Sequence, residues 1–117
     1  MTAAKLNLPV IEKGATYRHT LIWNGSNGQP VNLTDCTAKM QVREAATSDT
    51  VLLELSTENG GITITPSTGK LELYCSATNT GALTGDGGFY DLEVYFLNGD
   101  TVRLCGGLVT FADQITR

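Results

Sequence analysis

Apolar and polar residues alternate along most of this chain. A period of two turns one face of an extended strand toward a core and the other toward water. Tyr17, His19, Leu21 and Trp23 share one face of the first such segment, with Arg18, Thr20 and Ile22 on the other. Cys36, Ala38, Met40 and Val42 alternate with Thr37, Lys39, Gln41 and Arg43, the cleanest case of one buried and one wet face. Val51, Leu53, Leu55 and Thr57 repeat the pattern, and Leu52 interrupts its polar side. Ile62 and Ile64 mark a short strand. Leu71, Leu73 and Cys75 oppose Lys70, Glu72 and Tyr74, and Tyr90, Leu92, Val94 and Phe96 oppose Phe89, Asp91, Glu93 and Tyr95. Val102 and Leu104 open the last long strand, which Gly106-Gly107 should interrupt at a bulge before residues 108–111 resume it.

The punctuation fits this reading. Asn98-Gly99 lies between two strand patterns and predicts a tight hairpin in which both central residues take positive φ. Residues 25–30 and 66–69 predict further turns. Residues 76–83 read as either one helical turn, with Ser76 as N-cap and Gly85 past its end, or as irregular chain. Short strands at this spacing, without a long helix, predict an all-β fold. We expect a β-sandwich of about seven or eight antiparallel strands rather than a barrel. Its core should hold Cys36, Ala38, Met40, Val42, Leu53, Leu55, Leu71, Leu73, Leu92 and Val94. No repeat or linker divides the sequence, so residues 1–117 read as a single domain, with 1–13 as an N-terminal arm or edge strand.

Composition narrows the function classes. Apolar residues at 41% and charged residues at 17% suit a globular core without staples. Net charge is −4 and the eight basic residues are scattered, so no cluster could neutralise a run of phosphates, and we expect no nucleic-acid partner. No apolar run approaches the roughly 20 residues of a membrane span, and the first thirteen residues lack the pattern of a signal peptide. Three cysteines at Cys36, Cys75 and Cys105 form neither a disulfide framework nor a zinc pattern. They read as reduced thiols of a protein made in a reducing cytosol. Two glycosylation sequons, at Asn24 and Asn32, then read as chance matches.

Candidate chemistry is sparse. His19, the single histidine, alternates with Tyr17, Leu21 and Trp23 and reads as packing rather than catalysis. Asp86 sits in Gly85-Asp86-Gly87-Gly88, where glycines occupy positions that a calcium loop would fill with oxygen ligands. Those glycines also lack the lysine of a phosphate loop. We therefore assign no catalytic, cofactor-binding or metal-binding residue and expect a non-enzymatic protein that needs no cofactor. What stands out instead is apolar residues on faces that should be wet: Ile22, Leu52, Tyr74, Phe89 and Tyr95. They are the candidates for a surface covered by another chain, with Leu6, Leu8 and Val10 of the N-terminal segment helping. A sugar-binding platform built on Trp23, Tyr74, Phe89 and Tyr95 is the alternative use of the aromatics.

Several stretches carry a resemblance. Glu12-Lys13-Gly14-Ala15-Thr16-Tyr17, Trp23, Asn27-Gly28-Gln29-Pro30-Val31-Asn32-Leu33-Thr34 and Ala38-Lys39-Met40-Gln41-Val42-Arg43 look like the opening of a small structural protein of tailed bacteriophages and prophages. Tyr90-Asp91-Leu92-Glu93-Val94, the Asn98-Gly99 turn, Gly106-Gly107 and Ile115-Thr116-Arg117 look like its end. The chain resembles the N-terminal domain of phage baseplate upper proteins, which attach receptor-binding fibres to the tail. That resemblance implies an immunoglobulin-like or related sandwich. It implies a virion protein, made in the bacterial host cytoplasm, whose partners are other virion structural proteins in a homo-oligomer or a symmetric assembly of many copies. The expected role is an assembly or adaptor module of the tail, baseplate or fibre-attachment region. Capsid decoration and carbohydrate binding on the virion surface are the alternatives.

Overall fold

The computed structural model describes residues 4–116. Among these, the alternating segments form β1 (Ala4–Lys5), β2 (Ile11–Glu12), β3 (Tyr17–Ile22), β4 (Thr37–Arg43), β5 (Leu53–Ser56), β6 (Ile62–Thr65), β7 (Lys70–Cys75), β8 (Gly87–Tyr95) and β9 (Thr101–Ala112). One short helix, α1 (Ala77–Gly81), and a 3-10 turn at Pro66–Thr68 complete the regular structure. Ser76 caps α1 through Oγ, which accepts the Asn79 N–H at 3.2 Å.

The strands build two layers. One sheet runs β1-β9-β8-β4-β5, with β2 also on β9, and the other runs β3-β7-β6. The chain thus crosses between layers from β2 to β3, from β3 to β4, from β5 to β6, and from β7 to β8. This order is that of an immunoglobulin-like sandwich, with β9, β8, β4 and β5 as the G, F, C and C′ strands and β3, β7 and β6 as B, E and D. The expected all-β sandwich is therefore present, with one difference. β1 and β2 are not antiparallel: they join β9 in parallel, Ala4 opposite Cys105 and Ile11 opposite Phe111. The entering segment runs alongside the last strand in the same direction, which no hairpin could arrange.

The inward faces meet between the layers. Ala38, Met40, Val42, Leu55, Leu92 and Val94 pack from one sheet, and Tyr17, Ile62, Leu71, Leu73 and Cys75 from the other. Each large side chain buried this way contributes about 1.5–3 kcal/mol. Cys36 and Leu53 are only half-buried, contrary to expectation. Leu53 opens β5, the outermost strand of its sheet, and Cys36 precedes β4, so each lies where one layer of cover ends. Val51 precedes β5 and is exposed.

Two turn expectations need correction. At the β8–β9 hairpin only Gly99 takes positive φ, 97°, and Asn98 does not. Phe96 N–H donates to the Asp100 carbonyl (2.8 Å) and Gly99 N–H to the Phe96 carbonyl (3.0 Å), so the loop has three residues and closes on a left-handed glycine. The bulge of β9 is not at Gly106-Gly107. Leu92 faces Cys105 and Glu93 faces Arg103, which leaves Leu104 as the extra residue. The two glycines serve close approach instead. A Cβ on Gly107 would lie 2.6 Å from the Leu6 carbonyl oxygen, and one on Gly106 would lie 3.0 Å from that of Tyr90.

Candidate functional site

Leu104 changes what β9 shows to solvent. Before the bulge the inward positions are even-numbered, Val102 and Leu104; after it they are odd-numbered, Cys105, Val109 and Phe111. The one-residue shift turns Leu108 to the outer face, where it sits directly opposite Phe89. Phe89 is 52% exposed and Leu108 47%. Arg43 is the β4 neighbour of Phe89, and the Asp91–Arg103 ion pair (3.3 Å) borders the same face. An apolar centre thus lies within a polar rim. Leu108 was not among the sequence candidates, although a one-residue bulge at Leu104 or at Gly106-Gly107 turns it outward alike; the alternation of Val109 with Phe111 held the signal.

The other candidates separate into different places. Leu52 and Tyr74 come together across an open groove of about 540 Å³, lined also by Val51, Leu53, Ala82 and Leu83. Tyr74 also carries the Arg18 guanidinium 4.7 Å from its ring centre. Leu6 and Ile22 both line a second open cleft of about 490 Å³, with Leu21, Trp23 and Leu104, at the seam between β1 and β3. Ile22 is 63% exposed. Val10 is exposed, whereas Leu8 is buried in the chain's own core and does not belong to the surface set. Tyr95 lies six positions from Phe89, about 20 Å along β8. Its half-buried hydroxyl donates to the Glu93 carboxylate at 3.2 Å. Burial, and then that carboxylate, raise its pKa. Tyr74 is on the other sheet from Phe89 and Tyr95, and Trp23 is buried edge-on against Phe96 at 6.1 Å. The four aromatics do not share one face.

Sheet edges form a further part of the surface. Asn59 lays its side-chain amide along β5: Oδ1 accepts Ser56 N–H (2.9 Å) and Gly61 N–H (2.8 Å), and Nδ2 donates to the Glu54 carbonyl (3.0 Å). The N-terminal segment covers β9. Leu6 N–H reaches the Gly106 carbonyl (2.9 Å), Leu8 N–H the Leu108 carbonyl (3.0 Å), and Asn7 Oδ1 accepts Leu108 N–H (3.0 Å). The Tyr90 hydroxyl donates to the Leu6 carbonyl.

The polar groups are arranged for packing. Burial pushes the Tyr17 phenol up to about 12, and burial together with the Cys105 thiol raises Tyr90 further. Burial raises the thiols of Cys36, Cys75 and Cys105, which makes them poor nucleophiles, and all three are free. Among the described residues no group of three or more His, Cys, Asp and Glu side chains could hold a metal. Gly87 of the Asp86 turn lies against β9, its Cβ position 2.1 Å from the Val109 carbonyl oxygen, so that glycine too serves close approach. No helix among the described residues is long and apolar enough to cross a membrane.

No family model matches the chain, and no curated protein matches it in sequence. Among solved structures it is similar to the extracellular domains 3–5 of Drosophila OTK, at 12% identity and a TM-score of 0.42 over 97% of this chain. It spans 35% of that chain's length. It is similar also to the first Ig-like domain of human CD48 antigen, at 13% identity and a TM-score of 0.39, covering all of this chain and 89% of that one. Likeness at this level adds nothing to the strand order described above.

Proposed function

We propose that this chain is a non-enzymatic structural protein of a tailed-bacteriophage virion, an assembly or adaptor module of the tail, baseplate or fibre-attachment region. The observation that carries the assembly role is the exposed Phe89–Leu108 pair on the outer face of β8 and β9. Facing apolar side chains inside a polar rim have the anatomy of a protein interface. The baseplate-like stretches of the sequence supply the virion setting. Work is done by surface complementarity, and no bond is made or broken. Scattering of Tyr74, Phe89, Tyr95 and buried Trp23 weighs against the sugar-platform alternative, which needs its aromatics together.

The test replaces Phe89 with Lys and Leu108 with Glu in one protein. Opposite charges facing each other across β8 and β9 keep the sheet paired, whereas charge at the centre of a dry contact is costly. The variant should melt within a few degrees of the parent and fail to enter virions. Normal melting with normal incorporation would refute the reading. Recovery of the parent protein in the head fraction rather than the tail fraction would replace the tail role with capsid decoration.

A further inference from the structure

Two open sheets leave four outer edges, and exposed backbone at an edge is a template for pairing. Three of the four are protected. Asn59 caps β5. The β1–β2 edge is two strands of two residues with Pro9 between them. β6 is four residues long and runs into Pro66. β3 is different: it has six residues, Tyr17–Ile22, pairs among the described residues only with β7, and contains no proline, glycine or bulge. Its one Lys or Arg residue, Arg18, lies over Tyr74 on its own sheet.

Ladder phase shows which groups of β3 are open. Tyr74 N–H donates to the Gly61 carbonyl (2.8 Å), so residues 70, 72 and 74 of β7 turn their backbone groups toward β6. Leu71, Leu73 and Cys75 turn theirs toward Leu21, His19 and Tyr17. The amides and carbonyls of Arg18, Thr20 and Ile22 therefore point away from the sheet, at the spacing of a strand.

We propose that β3 is a homotypic docking edge, on which a second copy of this chain pairs antiparallel through its own β3 about a two-fold axis at Thr20. The occupant must be an extended strand that offers outward backbone groups at every second residue, and β3 meets its own requirement. Charge rules out one competing register. With the axis at Thr20, Thr20 faces its counterpart and Arg18 faces Ile22 of the second copy, each pair exchanging both backbone hydrogen bonds. An axis at Arg18 would set two guanidinium groups opposite each other, and like charges in that position are destabilising. Glu72, the β7 neighbour of Thr20, is held apart from its counterpart by the two threonines. The result is one continuous sheet, β6-β7-β3-β3-β7-β6. This pairing deepens the assembly reading by naming a second copy as one partner.

Sedimentation of the purified chain over a wide concentration range tests it. A reversible dimer is expected. Ile22→Lys places a lysine opposite Arg18 and should weaken the dimer about tenfold. Adding Arg18→Glu makes each facing pair opposite in charge and should restore it. Thr20→Pro removes the central donor, which is not used by β7, and should abolish the dimer with the β-type circular dichroism retained. If Thr20→Pro misfolds, the charge pair decides alone. A parent chain that stays monomeric overturns β3 pairing, as does a dimer indifferent to Ile22→Lys or a double variant no tighter than the single one. Those results leave virion incorporation to be judged separately, so failure of the pairing and failure of the assembly reading are distinguishable.

Discussion

Asn59 lies along β5 and takes up Ser56 N–H, Gly61 N–H and the Glu54 carbonyl, whereas along β3 the equivalent groups of Arg18, Thr20 and Ile22 face outward, with no strand of the described residues beside them. Both strands end a sheet of the same sandwich, and both carry the alternation that buries one side. What closes the edge of β5 is a polar side chain placed three residues beyond the end of that strand. The difference teaches that an edge is closed locally, by one amide of suitable geometry, and that the rest of the fold need not change.

The comparison presumes one core beneath both edges, and the largest effect should come from breaking it. Leu92 is fully buried between Met40 and Cys105 in the ladder. Leu92→Ala should lower unfolding free energy by about 2–5 kcal/mol, through lost transfer energy and the cavity left behind. Urea denaturation measures it; a loss below about 1 kcal/mol would separate the two sheets energetically and end the comparison.

Asn59→Ala is the next largest. It leaves three backbone groups without their partner and should cost about 1–3 kcal/mol. It should also convert β5 into an open edge. Association that survives in a Thr20→Pro background would show that edge in use, and a variant as stable and as monomeric as its background would show that Asn59 closes nothing.

The smallest effect concerns a third edge, where the Tyr90 hydroxyl holds Leu6. The folded phenols of Tyr17 and Tyr90 are raised above the ordinary 10.0, Tyr17 to about 12 and Tyr90 beyond it. A group raised on folding adds stability that is complete below its unfolded pKa and is lost as pH climbs toward the folded one. Stability should therefore be flat through neutral pH, begin to fall near pH 10, and fall through pH 12. Urea midpoints between pH 8 and 12 read this out. Tyr90→Phe should make the decline shallower, and an unchanged slope would place the titration elsewhere.

Much of this architecture was legible in period-two alternation, because a strand with one buried face repeats the burial pattern in its sequence. β4, β7 and β8 follow that pattern residue by residue. Ser76 was legible as a helix cap for a similar reason, since its oxygen acts within one turn. What escaped depends on residues far apart. The bulge sits at Leu104, although the glycines two positions on are the more conspicuous signal, and those glycines answer to Leu6 and Tyr90 rather than to their own strand. Asn59 gave no sign of its role, because an asparagine before Gly60 reads first as a turn residue. The surface candidates Ile22, Leu52, Tyr74 and Phe89 were visible as parity violations, but their distribution over separate sites was set by sheet order.

The parallel seam of β1 and β2 with β9 also sets an order in time. Ala4 waits for Cys105 and Ile11 for Phe111, so β1 and β2, made long before β9, are among the last elements to find their place. Contacts of that sequence separation carry a large loop-closure cost and slow folding. While the ribosome is still working, Leu8 and Ile11, both buried in the finished domain, have no β9 to cover them. The sandwich can therefore be sealed only after residues near 111 have emerged, and a nascent chain halted before that point leaves Leu8 and Ile11 uncovered.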